Sequence, residues 1–553
     1  MSKTTKNLEL FEYDTQTDGK KKFNITKALN NNFDKIDTAI GDLQKKTAGA
    51  GLPPSICENL KITKSGTTVT LQWKDPNDTI LDKQYLCTWA GTKIVKKLGE
   101  YPKNENDGIL VLDNTVHNQY AEVGYIDTLD NADDEYKYAA FPYSTNDVFC
   151  RNSTNRFGGE IVYEFLINDN EINPDEKIIY CGRNEDFKPV KMNTTTKKFD
   201  WGSWKNSFIV NAFRMCMLKS NGDVDYYLNP HNAKQKLDGS PSDATNKDYD
   251  GNVMVEVDQI WISESYKNGM PYIKLANKKV DETYDCLSHI NKNNQLVEHY
   301  YYAKYNGYVY NNKYRSLSGF APTTNLSGVI QRQYCQANGS GWECREVSFL
   351  RLMIYVHLLL GKSTNVQTTF GTGRYTGGSQ QSYAQLTSGD NDTKGEFYCG
   401  GDNQCVTTFF IDNFWGNVWE LTLGLIQNAG KLLYKLTPNT YDGTTATDYN
   451  TDGTGYKDSG VNVGTGTITM QFISAMKLVS GIGLVPCAFT GASSSTGWCD
   501  AFWTTNVIGY ARTSGGSHSG AALAYGLFAL TVNSVATHSY WSCGASLSYK
   551  KTS

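Results

Sequence analysis

Gly515–Leu530 reads GGSHSGAALAYGLFAL, and its residues ask for opposite environments. Gly515, Gly516 and Gly520 permit tight backbone paths, whereas Leu527, Phe528 and Leu530 are side chains that fold inward. Ser517, His518, Ser519 and Tyr525 stand between them. The stretch therefore reads as a strand anchored in a core, with a polar and aromatic group displayed from it. The neighbouring segment GWCDAFWTT (497–505) adds Trp498, Asp500, Phe502 and Trp503. VATHSYW (535–541) adds Thr537, His538 and Tyr540. Aromatic faces take sugar rings or protein side chains, and short polar groups supply adaptable hydrogen bonds, so these residues form the candidate ligand-binding face. Burial in the core is the alternative for Trp498, Phe502 and Trp503.

The chain around this stretch has 553 residues, more than one hydrophobic core supports, so at least two cores are expected. A net charge of −4 with scattered Lys and Arg offers no basic field, which argues against nucleic acid as a partner. Abundant Tyr and Gly (36 and 50 residues) suit β-rich domains with long polar loops. The opening MSKTTKNLELFEYD lacks the apolar core of a secretory leader, and no run of 18 apolar residues occurs, so neither secretion by a leader nor membrane insertion is expected. Thirteen cysteines at irregular spacings argue against a disulfide framework and for folding in a reducing cytoplasm.

Within FNITKALNNNFDKIDTAIGDLQKK (23–46), Leu29, Phe33, Ile36, Ile40 and Leu43 form a heptad seam. So short a helix needs partners, most simply copies of the same chain, and a homotrimer is the expected oligomer. In LKITKSGTTVTLQW (60–73), Val69, Leu71 and Trp73 alternate with polar residues as a half-buried strand requires. About a hundred residues of short strands with an early Trp fit an immunoglobulin- or fibronectin-like sandwich. Farther on, EVSFLRLMIYVHLLL (346–360) predicts a helix apolar nearly all round and central to a core, with His357 a core histidine. TMQFISAMKLVSGIGLVP (469–486) reads as a strand or short helix returning to that core.

Three further segments, FWGNVWELTLG (414–424), ARTSGGSH (511–518) and SCGASLSY (542–549), resemble, in order and spacing, the landmarks of the formylglycine-generating-enzyme fold, a large variant of the C-type lectin fold. The chain is more closely similar to the lectin-fold domains that end phage tail fibres and receptor-binding proteins, including tropism determinants diversified by retroelements. The matching features are Lys362–Gln367 (KSTNVQ), Gly416–Glu420 (GNVWE), the Gly515-Gly516 turn, and Gly526, Phe528 and Leu530. FNITKALNNNFDKID and WAGTKIVKKLGEYP resemble, respectively, the N-terminal segment and a spacer of phage fibres. Leu421 follows GNVWE where the enzyme has Trp, His518 stands at the GGSW tryptophan, and GASLSY lacks the closing arginine, so the likeness carries the scaffold and not the enzyme's chemistry.

The resemblance implies a mixed, β-dominated protein. Its parts would be a virion-attachment segment (1–22), a short coiled-coil helix and linker (23–50), an immunoglobulin/fibronectin-like β-sandwich spacer (51–155), a β-rich region (156–290) and an α+β C-type-lectin-like receptor-binding domain (291–553). It implies a fibre of the virion assembled in bacterial cytoplasm. Its partners would be tail or capsid proteins at the N-terminus and a bacterial surface glycan or protein at the C-terminus. The alternatives are a virion-associated enzyme, either an envelope glycan hydrolase or a thiol-dependent modifying enzyme, and a purely structural decoration.

For thiol chemistry the candidate pairs are Cys399 with Cys405 and Cys487 with Cys499; the Gly-Gly-Asp after Cys399 brings the wrong charge to activate it. No carboxylate pair or Ser-His-Asp order stands out, and Gly371-Thr-Gly373-Arg374 follows a helix rather than a strand, against a dinucleotide site. Asp448, Asn450 and Asp452, followed by Gly453, open like a calcium loop, but Ser459 occupies the twelfth position where a Glu belongs. A polar turn is the ordinary reading there, calcium the alternative, and no other cofactor is expected.

Overall fold

The computed structural model describes residues 52–81, 84–152, 155–375, 386–437, 453–505, 509–513 and 524–552, with 3–4, 11–12, 32–36 and 38 near the N-terminus. The chain divides into two compact units, Met1–Glu160 and Ile161–Ser553. Of the heptad seam, residues 32–36 and 38 are helical and Phe33 is exposed, while Leu29, Ile40 and Leu43 lie outside the described residues.

The first unit is built on the predicted alternation. Strand Thr68–Lys74 turns Val69, Leu71 and Trp73 inward and its other residues outward. It lies between Glu58–Ser65 and Tyr125–Thr128 in one antiparallel sheet, and Trp89–Leu98 lies between Tyr136–Ser144 and Ile109–Asn114 in a second. Trp73 from the first sheet and Ile94, Tyr138 and Ala140 from the second share one apolar core. Asp75, buried beside it, accepts from Trp73 Nε1 at 2.8 Å and from the Thr92 hydroxyl at 2.6 Å, so the buried indole N–H is satisfied.

The second unit is organised round the helix Val347–Gly361, buried along almost its whole length as its apolar sequence requires. Arg351 is its one charged residue. Its guanidinium meets Glu264 at 2.8 Å and Asp285 at 2.7 Å, which ties the helix to a five-stranded sheet containing Trp261–Lys267 and Tyr284–Asp285. His357 is a core histidine: Nδ1 donates to the Met353 carbonyl at 2.7 Å and the ring is walled by Phe370, Phe409 and Trp415. Burial pushes its pKa down to about 4, so it is neutral.

Among the described residues the second unit also contains a 15-stranded sheet. Strands from before and after position 290 pair directly, Asn252–Asp258 with His299–Ala303, so those two stretches belong to one unit. The C-terminal strand Leu547–Lys550 lies between His299–Ala303 and Trp342–Glu346, where Lys550 forms a buried ion pair with Glu346. The segment 469–486 is strand throughout its regular part, contributing to Ile468–Phe472, Ala475–Val479 and Gly483–Ala488. Among the described residues no helix is long and apolar enough to cross a membrane.

Candidate functional site

Strand Trp419–Asn428 runs through the middle of the large sheet, parallel to Trp342–Glu346 on one side and antiparallel to Gly509–Thr513 on the other. At its start Trp419 pairs with Cys543, and Trp419 N donates to the Ser542 carbonyl at 2.8 Å. Farther along the sheet, Ala501–Thr504 lies parallel to Leu530–Ser534, with Phe502 opposite Leu530 and Trp503 opposite Thr531. Side chains alternate faces along a strand, so Phe502 and Leu530 turn into the core while Trp503 and Thr531 turn to the other side.

On that other side lies an open cavity of about 260 Å³. Trp419, Trp503 and Tyr525 form its aromatic wall: Trp503 stacks on Tyr525 with centroids 5.3 Å and planes 18° apart, and Trp419 meets Trp503 edge-on at 5.3 Å. Thr531, Asn533, Ser534, His538 and Tyr540 add polar groups to the lining. Some of these bond to one another, for Thr531 Oγ1 donates to Asn533 Oδ1 at 2.7 Å and His538 Nδ1 lies 3.0 Å from Ser534 Oγ. Ser542 and Cys543 complete the lining. The volume is just below the roughly 300–1,000 Å³ of small-molecule sites, suited to one ring or one side chain of a larger ligand.

Four of the candidate ligand-binding residues, Trp503, Tyr525, His538 and Tyr540, thus come together on one cavity. Thr537 is exposed and outside its lining. Ser517, His518 and Ser519 lie outside the described residues, as do Asp448, Asn450 and Asp452 of the calcium reading. The remaining three need correction, because Trp498, Asp500 and Phe502 are fully buried and line no part of this cavity. Trp498 donates from Nε1 to Asp169 Oδ1 at 2.8 Å and packs edge-on against Phe528. Phe502 stacks on Phe489, as strand alternation with Trp503 demands. The anchor residues Leu527, Phe528 and Leu530 are buried.

Asp500 has a different task from display. Its Oδ1 accepts from Gly526 N at 2.7 Å and its Oδ2 from Phe528 N at 2.8 Å, so one carboxylate holds the turn that follows Tyr525. Burial pushes its pKa up to about 7, against the two N–H groups that favour the charged form. Gly526 is required by this close approach: a Cβ there would sit 2.6 and 2.7 Å from the two carboxylate oxygens and 2.9 Å from Gln367 Cγ. Gln367 belongs to the KSTNVQ stretch, which therefore backs the site rather than lining it.

A search of protein-family models finds no match to the chain, and no curated protein matches it.

The residues that could carry other chemistry are poorly placed for it. Burial raises the thiol pKa of Cys399, Cys405, Cys487 and Cys499, to about 12 for Cys499, so none is a ready thiolate. Cys286 Sγ does lie 3.4 Å from His289 Nδ1. Both are buried, the thiol is pushed up and the imidazole down to about 4, and His289 Nε2 is engaged with the Val257 carbonyl, which makes the pair a structural contact. Glu256, Asp258 and His299 converge closely enough to hold a metal ion. The Arg214 guanidinium already bridges both carboxylates at 2.6 Å, and Tyr301 donates to Glu256, so this group carries its own cation.

Trp419, Thr531, Asn533 and Ser534 were not among the residues the sequence singled out for binding. Trp419 is the tryptophan of GNVWE, read as a landmark of the scaffold; strand alternation from Trp503 would have pointed to Thr531 and, through the paired strand, to its neighbours.

Proposed function

We propose that the chain is a phage tail fibre or receptor-binding protein that attaches the virion to the bacterial surface through a C-terminal lectin-like face. The observation that carries this reading is the convergence of Trp419, Trp503, Tyr525, His538 and Tyr540, from separate C-terminal segments, on one open cavity at the large sheet. Rigid strands that present aromatic and short polar groups supply contact area at low entropic cost, as recognition surfaces do. The reading is further supported by the C-terminal strand closing onto an early strand beside a buried helix, an arrangement compatible with a lectin-like scaffold, and by two sheets sharing a Trp-centred core in the first unit, compatible with a sandwich spacer. The raised thiols and the arginine-filled carboxylate cluster favour binding over catalysis. In this reading the N-terminal seam trimerises the fibre, and three weak sites act together. Titration of labelled full-length chain onto candidate host cells tests it: saturable binding that falls in Trp503→Ala and His538→Ala supports receptor recognition at this cavity, and equal binding by folded variants moves the site elsewhere.

A further inference from the structure

The helix Gly328–Gln336 is joined to the strand Trp342–Glu346 by the short segment 337–341, and the helix lies against the loop that carries His538 and Tyr540. The helix braces that loop directly, since Gln331 Nε2 donates to the Cys543 carbonyl at 3.2 Å and Val329 N to the Ala536 carbonyl. Helix and strand are locked in register on one side by Glu343, which accepts from Arg332 Nη2 and from Gln336 Nε2, each at 3.1 Å. Asn338 fixes the connection by donating to the Tyr314 and Cys335 carbonyls.

Between these clamps the two elements place Cys335 and Cys344 side by side, fully buried, with Sγ atoms 3.4 Å apart. A disulfide needs about 2.05 Å between sulfurs, so closure asks for a movement of roughly 1.4 Å. The partners face one another across a sequence separation of nine residues, and Gly339 and Gly341 take the positive φ values that turn the connection back on itself.

We propose that Cys335 and Cys344 are an oxidation-closable pair, which hydrogen peroxide joins into a disulfide that pins the helix Gly328–Gln336 to the strand Trp342–Glu346. In the first step one sulfur, having given up its proton, attacks a peroxide oxygen; the O–O bond breaks and a sulfenic acid and water form. The second sulfur then attacks the sulfenic sulfur, the S–O bond breaks and a second water leaves. Two thiol hydrogens are lost, sulfur is oxidised and peroxide is reduced to water. Burial pushes the Cys335 thiol up and the adjacent Cys344 pushes it the same way, which makes the reaction slow and the product well sheltered from reductants. The pair is a staple rather than a fast switch, and it stiffens the support of the cavity wall.

The test uses full-length protein treated with hydrogen peroxide while folded, then denatured, alkylated with N-ethylmaleimide, digested and weighed by mass spectrometry. A peptide linking Cys335 to Cys344, lighter by two hydrogens, is expected, with melting of the second unit raised by about 3 °C over the reduced protein. Cys335→Ala and Cys344→Ala each abolish both the link and the rise. Recovery of Cys335 and Cys344 separately alkylated, at peroxide exposures that fully oxidise the exposed Cys487, overturns the proposal. So does a link that forms only in denaturant, or one that leaves melting unchanged.

Discussion

The Trp503 indole lies against the Tyr525 phenol ring, centroids 5.3 Å apart and planes 18° from parallel. One residue comes from a strand and the other from a turn, so the wall they form depends on how that turn is held. Removing the indole should open the cavity while leaving the sheet intact. Trp503→Ala is expected to cost about 1–2 kcal/mol of stability, since the side chain is only half-buried, but to weaken host-cell binding by roughly tenfold or more. Urea denaturation and a cell-binding titration on the same preparation separate the two effects.

Asp500 is the group that holds the turn. Its folded pKa of about 7 lies well above the ordinary carboxylate value, so the folded state keeps a proton that the unfolded chain releases. The stability gained in this way is fully present below the unfolded pKa and is lost as pH rises through about 7. Relative to Asp500→Asn, the parent protein is expected to lose roughly 2–3 kcal/mol between pH 5 and pH 8. Denaturation curves for both proteins at the two pH values check this, and parallel changes would contradict it.

Gly526→Ala should damage the same clamp from the other side. With oxygens of Asp500 within 2.7 Å of the new methyl, the turn must shift, at a cost of about 1–3 kcal/mol. Near-ultraviolet circular dichroism of Trp503 and Tyr525 should change along with thermal stability.

Arg351 predicts a larger loss. Its charge is buried between Glu264 and Asp285, and Arg351→Met would leave both carboxylates without their cation, costing about 3–5 kcal/mol. Chemical denaturation of the second unit measures it; a loss below about 1 kcal/mol would show that the helix is held by apolar packing alone.

The strongly patterned elements were legible in the sequence. Val69, Leu71 and Trp73 announce their strand by alternation, and the all-round apolar run 346–360 announces a buried helix that appears as Val347–Gly361. What failed was the assumption that Trp498, Phe502 and Trp503 share a face. Period-two alternation separates Phe502 from Trp503, and Trp498 finds its partner in Asp169, some 329 positions away, which no local pattern announces. Asp500 was misread for a related reason: an acidic residue between aromatics reads as exposed, and only the tertiary fold brings the Gly526 and Phe528 N–H groups to it. Trp419 was visible as a motif, but its place on the cavity depends on the pairing with Cys543, a contact between distant segments.

The central claim, recognition of a host surface by the cavity, is tested most directly by titrating labelled full-length protein onto a panel of bacterial cells beside a folded Trp503→Ala, His538→Ala, Tyr540→Ala variant. The account predicts saturable binding of the parent to at least one strain and its loss in the triple variant, with circular dichroism unchanged. Binding of equal strength by both proteins, or no binding to any strain, would contradict it.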